Sequence, residues 1–189
     1  MSAAGSVWAA GQPPGRPKAG PAPVGCRDPR SGAAWGPGFQ WPVRVYWEDT
    51  DAGGIVFYAN YLKFFERART EWLRSLGLEQ QRLREQGVGM FVVTHSDLRY
   101  LRPARLDDLL LVTARLLEAG RASLTIEQRV VLPPAAADAA ATLLCEGRIR
   151  VGWVSTDGLR PQRIPAHLLA LLAGDAAKPF ASSKHPTVP

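Results

Sequence analysis

The chain has 189 residues, of which 46% are hydrophobic, and a formal net charge of +6, so it holds enough apolar material for one well-packed domain. No apolar run reaches the roughly 20 residues of a membrane-spanning helix, and two distant cysteines predict neither a disulfide framework nor a metal knuckle. The first 40 residues carry a net +3 and residues 174–189 a net +1; the remaining balance is ordinary and argues against nucleic-acid binding.

The two ends of the chain differ in composition from the middle. Residues 1–40 are dominated by Gly, Pro and Ala without periodicity. We predict a disordered tail there, because such a segment buries too little apolar surface to offset its ordering entropy. Residues 174–189 are expected to form a loose C-terminal tail. One domain is therefore predicted over residues 41–173. The two unpaired cysteines favour a reducing compartment, the cytoplasm.

A strand and a long helix open this domain. The stretch "PVRVYWE" alternates Val43, Val45 and Trp47 with polar side chains, which predicts a strand with those three residues in the core. Apolar side chains then recur at helical spacing over residues 62–76. This spacing predicts a long helix, and Asn60 is well suited to cap its N-terminus.

Four apolar runs of strand length follow a short polar stretch: "GMFVVTHSDLRYL", "DLLLVTARLLEAG", "ASLTIEQRVVLP" and "ATLLCEGRIRVGWVS". Turn-forming residues separate them, and "PAHLLALLA" predicts a short terminal helix. The order favours an α+β fold in which an antiparallel meander wraps around the long helix. An open edge strand of such a sheet favours pairing with a second copy.

Familiar catalytic motifs are missing from the sequence. It has no G-x-S-x-G elbow, Walker loop, HExxH helix, CxxC pair or G-x-G-x-x-G fingerprint. The three histidines, His95, His167 and His185, are scattered. Carboxylates are therefore the leading candidates for catalysis.

The loop "EDTDAGGIVFYANY", residues 48–61, joins the strand to the helix. Glu48 and Asp49 are expected to be solvated or capping acids, because like charges so close together resist joint burial. Asp51 precedes a Gly-Gly pair, a common turn sequence. The helix start behind it offers backbone N–H groups that can polarise a carbonyl. A loop carboxylate can then act on the same carbon as a base or a nucleophile.

The stretches "YWEDTDAGGIVFYANYLKFFERARTEWLRSLGL" and "VVTHSDLRYLRPARLDDLLLVTARL" resemble the hotdog-fold acyl-CoA thioesterases of the 4-hydroxybenzoyl-CoA thioesterase family. The resemblance spans residues 42–169 and is closest to the branch associated with the Tol-Pal system of Gram-negative bacteria. It implies a curved antiparallel sheet wrapped around one long helix. It also implies Asp51 as the catalytic carboxylate and Tyr58 as the residue whose backbone N–H polarises the thioester carbonyl. That branch commonly has a histidine where this chain has Phe57 and Tyr58. At these two positions the chain is closer to the 4-hydroxybenzoyl-CoA enzymes.

The same resemblance predicts how the loop meets its substrate. The Gly-Gly pair lets the backbone approach closely, and the residues expected to contact substrate are Gly54, Ile55, Val56, Phe57 and Asn60. For Asn60 the main expectation is that it caps the helix, and the substrate contact is secondary. Core positions are the expectation for the helical aromatics Phe64, Phe65 and Trp72.

The implied activity is hydrolysis of an acyl-CoA to free acid and coenzyme A, with no metal and no cofactor beyond the coenzyme A of the substrate. A homodimer or homotetramer with active sites between subunits is expected. An aryl-CoA thioesterase is the alternative enzyme. A non-catalytic module that binds acyl-CoA or acyl carrier protein, or works with phospholipid-synthesis proteins at the inner membrane, is the alternative class. Asp51 favours the enzyme, because a binding module does not need that carboxylate.

Overall fold

The computed structural model describes residues 38–134 and 140–176. Its elements are strand β1 (Phe39–Arg44), helices α1 (Asn60–Ser75) and α2 (Gln80–Glu85), strands β2 (Met90–Tyr100), β3 (Leu109–Ala119), β4 (Ser123–Leu132) and β5 (Thr142–Val154), and helix α3 (Ala166–Ala176). A short 3-10 turn at Trp47–Asp49 separates β1 from the loop before α1. The predicted order of strand, long helix and four strands is confirmed.

The strands form one antiparallel sheet in the order β1-β3-β4-β5-β2. The predicted meander holds for β3, β4 and β5 but is wrong for β2, which pairs with β5 instead of β3. Both edges of β3 are already occupied, by β1 and β4. Residues 101–108 therefore lead the chain from the far edge of the sheet back to β3, and this connection passes close to the start of α1.

Helix α1 lies against the inner face of the sheet, and its apolar side chains form the core. Phe64 and Phe65 are fully buried and Trp72 is 1% exposed, as the helical spacing predicted. On β3, Leu110 and Val112 belong to the same cluster, because alternate side chains of a strand face the same side. A curved sheet around one buried helix is the expected hotdog arrangement.

Three local expectations need correction. Val43 and Val45 are buried as predicted, but Trp47 is 80% exposed, because β1 ends at Arg44 and the 3-10 turn breaks the alternation. The polar stretch after α1 contains an unanticipated helix, α2. Strand β1 begins two residues inside the predicted tail 1–40, and α3 reaches into the predicted tail 174–189. The rest of both predicted tails lies outside the described residues.

None of the helices in the described ranges is long and apolar enough to cross a membrane.

Candidate active site

The loop before α1 folds into a small hairpin that pairs Asp51 with Ile55, three residues before Tyr58. The N–H of Asp51 donates to the carbonyl of Ile55 at 2.9 Å, and the N–H of Phe57 donates to the carbonyl of Asp49 at 2.9 Å. Between these two hydrogen bonds, Thr50 and Val56 pair as an antiparallel bridge that joins the two arms. Asp51 therefore stands on one arm, and Tyr58 continues from the other.

The Gly-Gly pair shapes the tip of this hairpin around the Asp51 side chain. Oδ1 of Asp51 accepts the N–H of Gly53 at 2.8 Å, and the N–H of Gly54 donates to the carbonyl of Asp51 at 2.9 Å. Gly54 has φ of +70°, a conformation that glycine adopts readily and L residues rarely adopt. The carboxylate is thus oriented by the tip but exposed to solvent.

The backbone N–H of Tyr58, just before α1, is unpaired within the described residues. The N–H groups of Phe57 and Asn60 donate to the carbonyls of Asp49 and Phe57, both at 2.9 Å. Between them, the N–H group of Tyr58 has no acceptor within residues 38–134 and 140–176. An unpaired N–H at a helix N-terminus can donate to the carbonyl oxygen of a ligand. Tyr58 is 62% exposed as a residue, so a ligand can reach it.

Asn60 holds the hairpin instead of capping the helix. It is the first residue of α1, Ala59 occupies the cap position, and no side chain caps the helix there, so the predicted cap is wrong. The buried Asn60 amide instead donates through Nδ2 to the carbonyl of Asp49 at 2.9 Å. Asp49 caps a different element, the 3-10 turn Trp47–Asp49: it is 1% exposed and accepts the N–H of Tyr46 through Oδ2 at 3.0 Å. Its neighbour Glu48 is exposed, so the two acids are not buried together.

A second anchor ties the hairpin to the connection between β2 and β3. The N–H of Val56 donates to the carbonyl of Ala104 at 2.9 Å, and the N–H of Ala104 donates to the phenolic oxygen of Tyr61 at 2.9 Å. Burial is the main cause that raises the pKa of Tyr61, which keeps this acceptor neutral. Sequence reasoning did not single out Tyr61 or Ala104; the nearest signal was the "RPARLDD" string of the family resemblance.

Aromatic rings surround the helix start. The ring centroid of Tyr58 lies 4.6 Å from that of Phe57 and 6.3 Å from that of Tyr100 at the end of β2. The ring centroids of Tyr100 and Tyr61 are 5.6 Å apart. Phe57 and Tyr100 are 43% and 48% exposed. The backbone donor of Tyr58 and an exposed apolar surface therefore lie together just before α1, next to the hairpin that carries Asp51.

The residues predicted to contact substrate fall into two groups. Gly54 and Phe57 are exposed and Ile55 is half-buried, so a ligand can reach them. Val56 and Asn60 are 3% and 6% exposed and bond within the chain, so they position the hairpin, and a substrate contact by either stays a prediction. Within the described ranges, no three His, Cys, Asp or Glu side chains cluster as metal ligands would.

Comparison with known proteins identifies the class. Residues 53–134 match the model of the thioesterase superfamily. The acyl-CoA thioester hydrolase YbgC of Escherichia coli O6:H1 is 42% identical over 132 residues, which cover 70% of this chain and 93% of that protein. The acyl-CoA thioesterase YbgC of Haemophilus influenzae is 41% identical over 133 residues, with the same coverage.

The chain therefore belongs to the thioesterase superfamily. A crystal structure of a 4-hydroxybenzoyl-CoA thioesterase variant, complexed with 4-hydroxybenzoyl-CoA, has 23% identity and a TM-score of 0.65, and covers 72% of this chain and 99% of that one. At this identity the likeness concerns the fold, and it confirms the hotdog architecture. The YbgC relatives confirm the acyl-CoA thioesterase resemblance drawn from the sequence.

Proposed function

We propose that this protein hydrolyses acyl-CoA thioesters at the hairpin of residues 49–57, with Asp51 as the catalytic carboxylate. The observation that carries the proposal is the pairing of two groups on one hairpin: the exposed carboxylate of Asp51 on one arm, and the unpaired N–H of Tyr58 after the other. The printed activity of the YbgC relatives supports it.

The proposed chemistry assigns each group one task. The thioester carbonyl oxygen accepts the N–H of Tyr58, and the positive end of the α1 dipole stabilises the oxyanion that develops there. Asp51 either removes a proton from the attacking water or attacks the carbonyl carbon itself and gives a mixed anhydride that water then cleaves. By either route the C–S bond breaks, coenzyme A leaves as a thiolate that takes a proton, and the free acid remains.

Free-thiol release from a panel of short, long and aryl acyl-CoAs tests the proposed activity. Turnover of at least one ester is expected. An aryl-CoA substrate is the second candidate, and the exposed rings of Phe57, Tyr58 and Tyr100 favour it. If no ester in the panel is hydrolysed, the enzyme proposal fails and a non-catalytic module that binds acyl-CoA or acyl carrier protein takes its place.

We also propose that the protein works as a homodimer built on β2. The sheet ends in β1 and β2. Strand β1 has six residues and contains Pro42, both features that discourage edge pairing. Strand β2 has 11 residues, and residues 93–97 in its middle are all exposed. Antiparallel pairing of β2 with its copy would join the two sheets, and a dimer could pair again to a tetramer. Light scattering gives the number of copies, and a monomer would contradict the proposal.

The cytoplasm is the proposed compartment, and the proposed site of action is the inner membrane, beside phospholipid-synthesis proteins. The resemblance to the Tol-Pal-associated branch and the free thiol of Cys145 support this assignment.

Acyl carrier protein is the proposed protein partner. Titration calorimetry with acyl carrier protein checks the partner, and an absence of heat at high concentration would remove it.

A further inference from the structure

A turn of residues 105–108 comes just before β3, and its two ends bond to each other twice. The N–H of Asp108 donates to the carbonyl of Arg105 at 3.1 Å, and the N–H of Arg105 donates to Oδ2 of Asp108 at 2.8 Å. The second bond closes the turn through a side chain, and Asp108 is only 8% exposed. The Asp108 carboxylate is therefore a structural part of the turn.

One side of the turn holds the chain that leads into the first arm of the hairpin. The N–H of Val45 donates to the carbonyl of Asp108 at 3.0 Å, and the carbonyl of Val45 accepts the N–H of Asp107 at 3.1 Å. The guanidinium of Arg44 also donates to the carbonyl of Asp107, at 2.7 Å. Since Asp51 follows Val45 by only six positions, the start of the first arm is fixed to the turn.

The other side of the turn holds the second arm. Arg105 pairs with Ile55 as an antiparallel bridge, and the carbonyl of Ile55 accepts the N–H of Asp51 at 2.9 Å. The second arm therefore lies between the first arm and Arg105 and pairs with both. A path of paired backbone runs from the Asp108 turn through Ile55 to Asp51.

The turn has an unfavourable backbone conformation at one residue. Asp107, the third of its four residues, has φ of +65°, in the left-handed region that residues with a side chain rarely adopt. Two bonds across the turn and three bonds to Arg44 and Val45 oppose this cost. Loss of the bond to the Asp108 side chain should therefore loosen the turn, and both arms of the hairpin with it.

We propose that Asp108 is a positioning residue of the active site, because its carboxylate closes the turn that holds both arms of the hairpin and thereby fixes the place of Asp51. This inference rests on the proposed function. A misplaced catalytic group slows the chemical step more than it weakens substrate binding. Removal of the Asp108 side chain should therefore lower kcat and change KM less.

Steady-state kinetics with a matched control test the proposed role. Asp108→Ala should lower kcat on the best ester at least about tenfold and change KM less than about threefold. Thr113→Val is the control, because the 7% exposed hydroxyl of Thr113 accepts the backbone N–H of Arg129 at 3.1 Å, between β3 and β4. Its urea midpoint should fall about as far as that of Asp108→Ala, while kcat stays within about twofold of the wild type. Equal kcat values in the two variants would overturn the inference.

A conservative substitution tests the bond itself. Asp108→Asn keeps a side-chain oxygen that can accept the N–H of Arg105. It should recover most of the kcat that Asp108→Ala loses, and it keeps the test open if the alanine variant does not fold. An asparagine variant as slow as the alanine variant would contradict the proposal.

Amide hydrogen exchange follows the hairpin without any substrate. The N–H groups of Asp51 and Val56 should exchange at least about tenfold faster in Asp108→Ala than in the wild type, because both bonds belong to the loosened arms. Thr113→Val should leave both rates unchanged. Wild-type exchange rates in a folded Asp108→Ala variant would show that the turn does not hold the hairpin.

A double substitution tests whether Asp108 acts through Asp51. In an Asp51→Asn background, Asp108→Ala should lower the residual kcat less than about twofold, since the group that it positions is already lost. A further loss of about tenfold there would show an independent role and overturn the inference. A wild type that hydrolyses no ester would instead refute the proposed function, while the exchange rates would still test the link between Asp108 and the hairpin, so the two failures are distinguishable.

Discussion

The phenolic oxygen of Tyr61 accepts a hydrogen bond from the backbone N–H of Ala104, 43 positions further along the chain, at 2.9 Å. Tyr61 is 3% exposed and Ala104 is fully buried. The carbonyl of Ala104 in turn accepts the N–H of Val56. One peptide segment therefore connects the start of α1 to the hairpin that carries Asp51.

Tyr61→Phe should destabilise the protein and slow catalysis. The change keeps the ring but leaves the buried N–H of Ala104 without its acceptor, which costs about 1–3 kcal/mol. A looser hairpin should lower kcat at least about tenfold and change KM less. Urea unfolding and steady-state kinetics measure both. Tyr100→Phe, at a 48% exposed ring, is the stability control. An unfolding free energy equal to that of the wild type would contradict the assigned hydrogen bond.

Asn60→Asp should be more destabilising than Asn60→Ala. Alanine loses only the hydrogen bond to the carbonyl of Asp49, worth about 1 kcal/mol. Aspartate turns a buried donor into a charged acceptor that faces a carbonyl oxygen, which adds a penalty of about 1 kcal/mol or more. Chemical unfolding of both variants tests this order. A helix cap would accept aspartate readily, so the reverse order would restore the capping role that the structure rejects.

The two glycines at the hairpin tip should respond differently to alanine. Gly54→Ala forces a φ of +70° on a residue with a side chain and should cost about 1–2 kcal/mol. At Gly53 an added Cβ would lie 3.1 Å from Oδ1 of Asp51. Gly53→Ala should therefore shift the carboxylate and lower kcat about tenfold, with little change in stability. Thermal unfolding and thiol release separate the two effects, and loss of activity in Gly54→Ala alone would contradict this division.

The free energy of unfolding should fall as the pH rises above 9. Burial, followed by the neighbouring Glu146, raises the pKa of the Cys145 thiol from 9.0 to about 12. Between pH 9 and 12 this thiol is ionised in the unfolded chain and still protonated in the folded chain. The free energy of unfolding, at its full value below pH 9, therefore falls by at most about 1.4 kcal/mol per pH unit. Urea unfolding at pH 8.0 and 9.5 in a Cys26→Ser background measures the slope. The added change Cys145→Ala should flatten it, and identical slopes would contradict the assignment.

Burial along single elements was predictable from the sequence. The alternation of Val43 and Val45 and the helical spacing of Phe64, Phe65 and Trp72 are local patterns, and burial follows them directly. The failure at Trp47 has a local cause as well, because a turn ends the strand where the alternating pattern continues.

Contacts between distant segments were not predictable in this way. Neither the pairing of β2 with β5 nor the bond between Tyr61 and Ala104 leaves a periodic signal, since both depend on how the connection 101–108 crosses the fold. The catalytic assignment of Asp51 came from the family resemblance, because Asp before Gly alone indicates only a turn. The burial of Asp49 could not be inferred from the charge of its neighbours.

Thiol release by Asp51→Asn on the best acyl-CoA ester tests the proposed role of Asp51 most directly, beside Asp157→Asn as the matched change at an exposed turn. With equal folding and oligomeric state, we expect Asp51→Asn to lower kcat/KM about 100-fold or more, equivalent to about 3 kcal/mol of transition-state stabilisation. Asp157→Asn should match the wild type. An Asp51→Asn variant as active as the Asp157→Asn control would show that this carboxylate does not perform the hydrolysis.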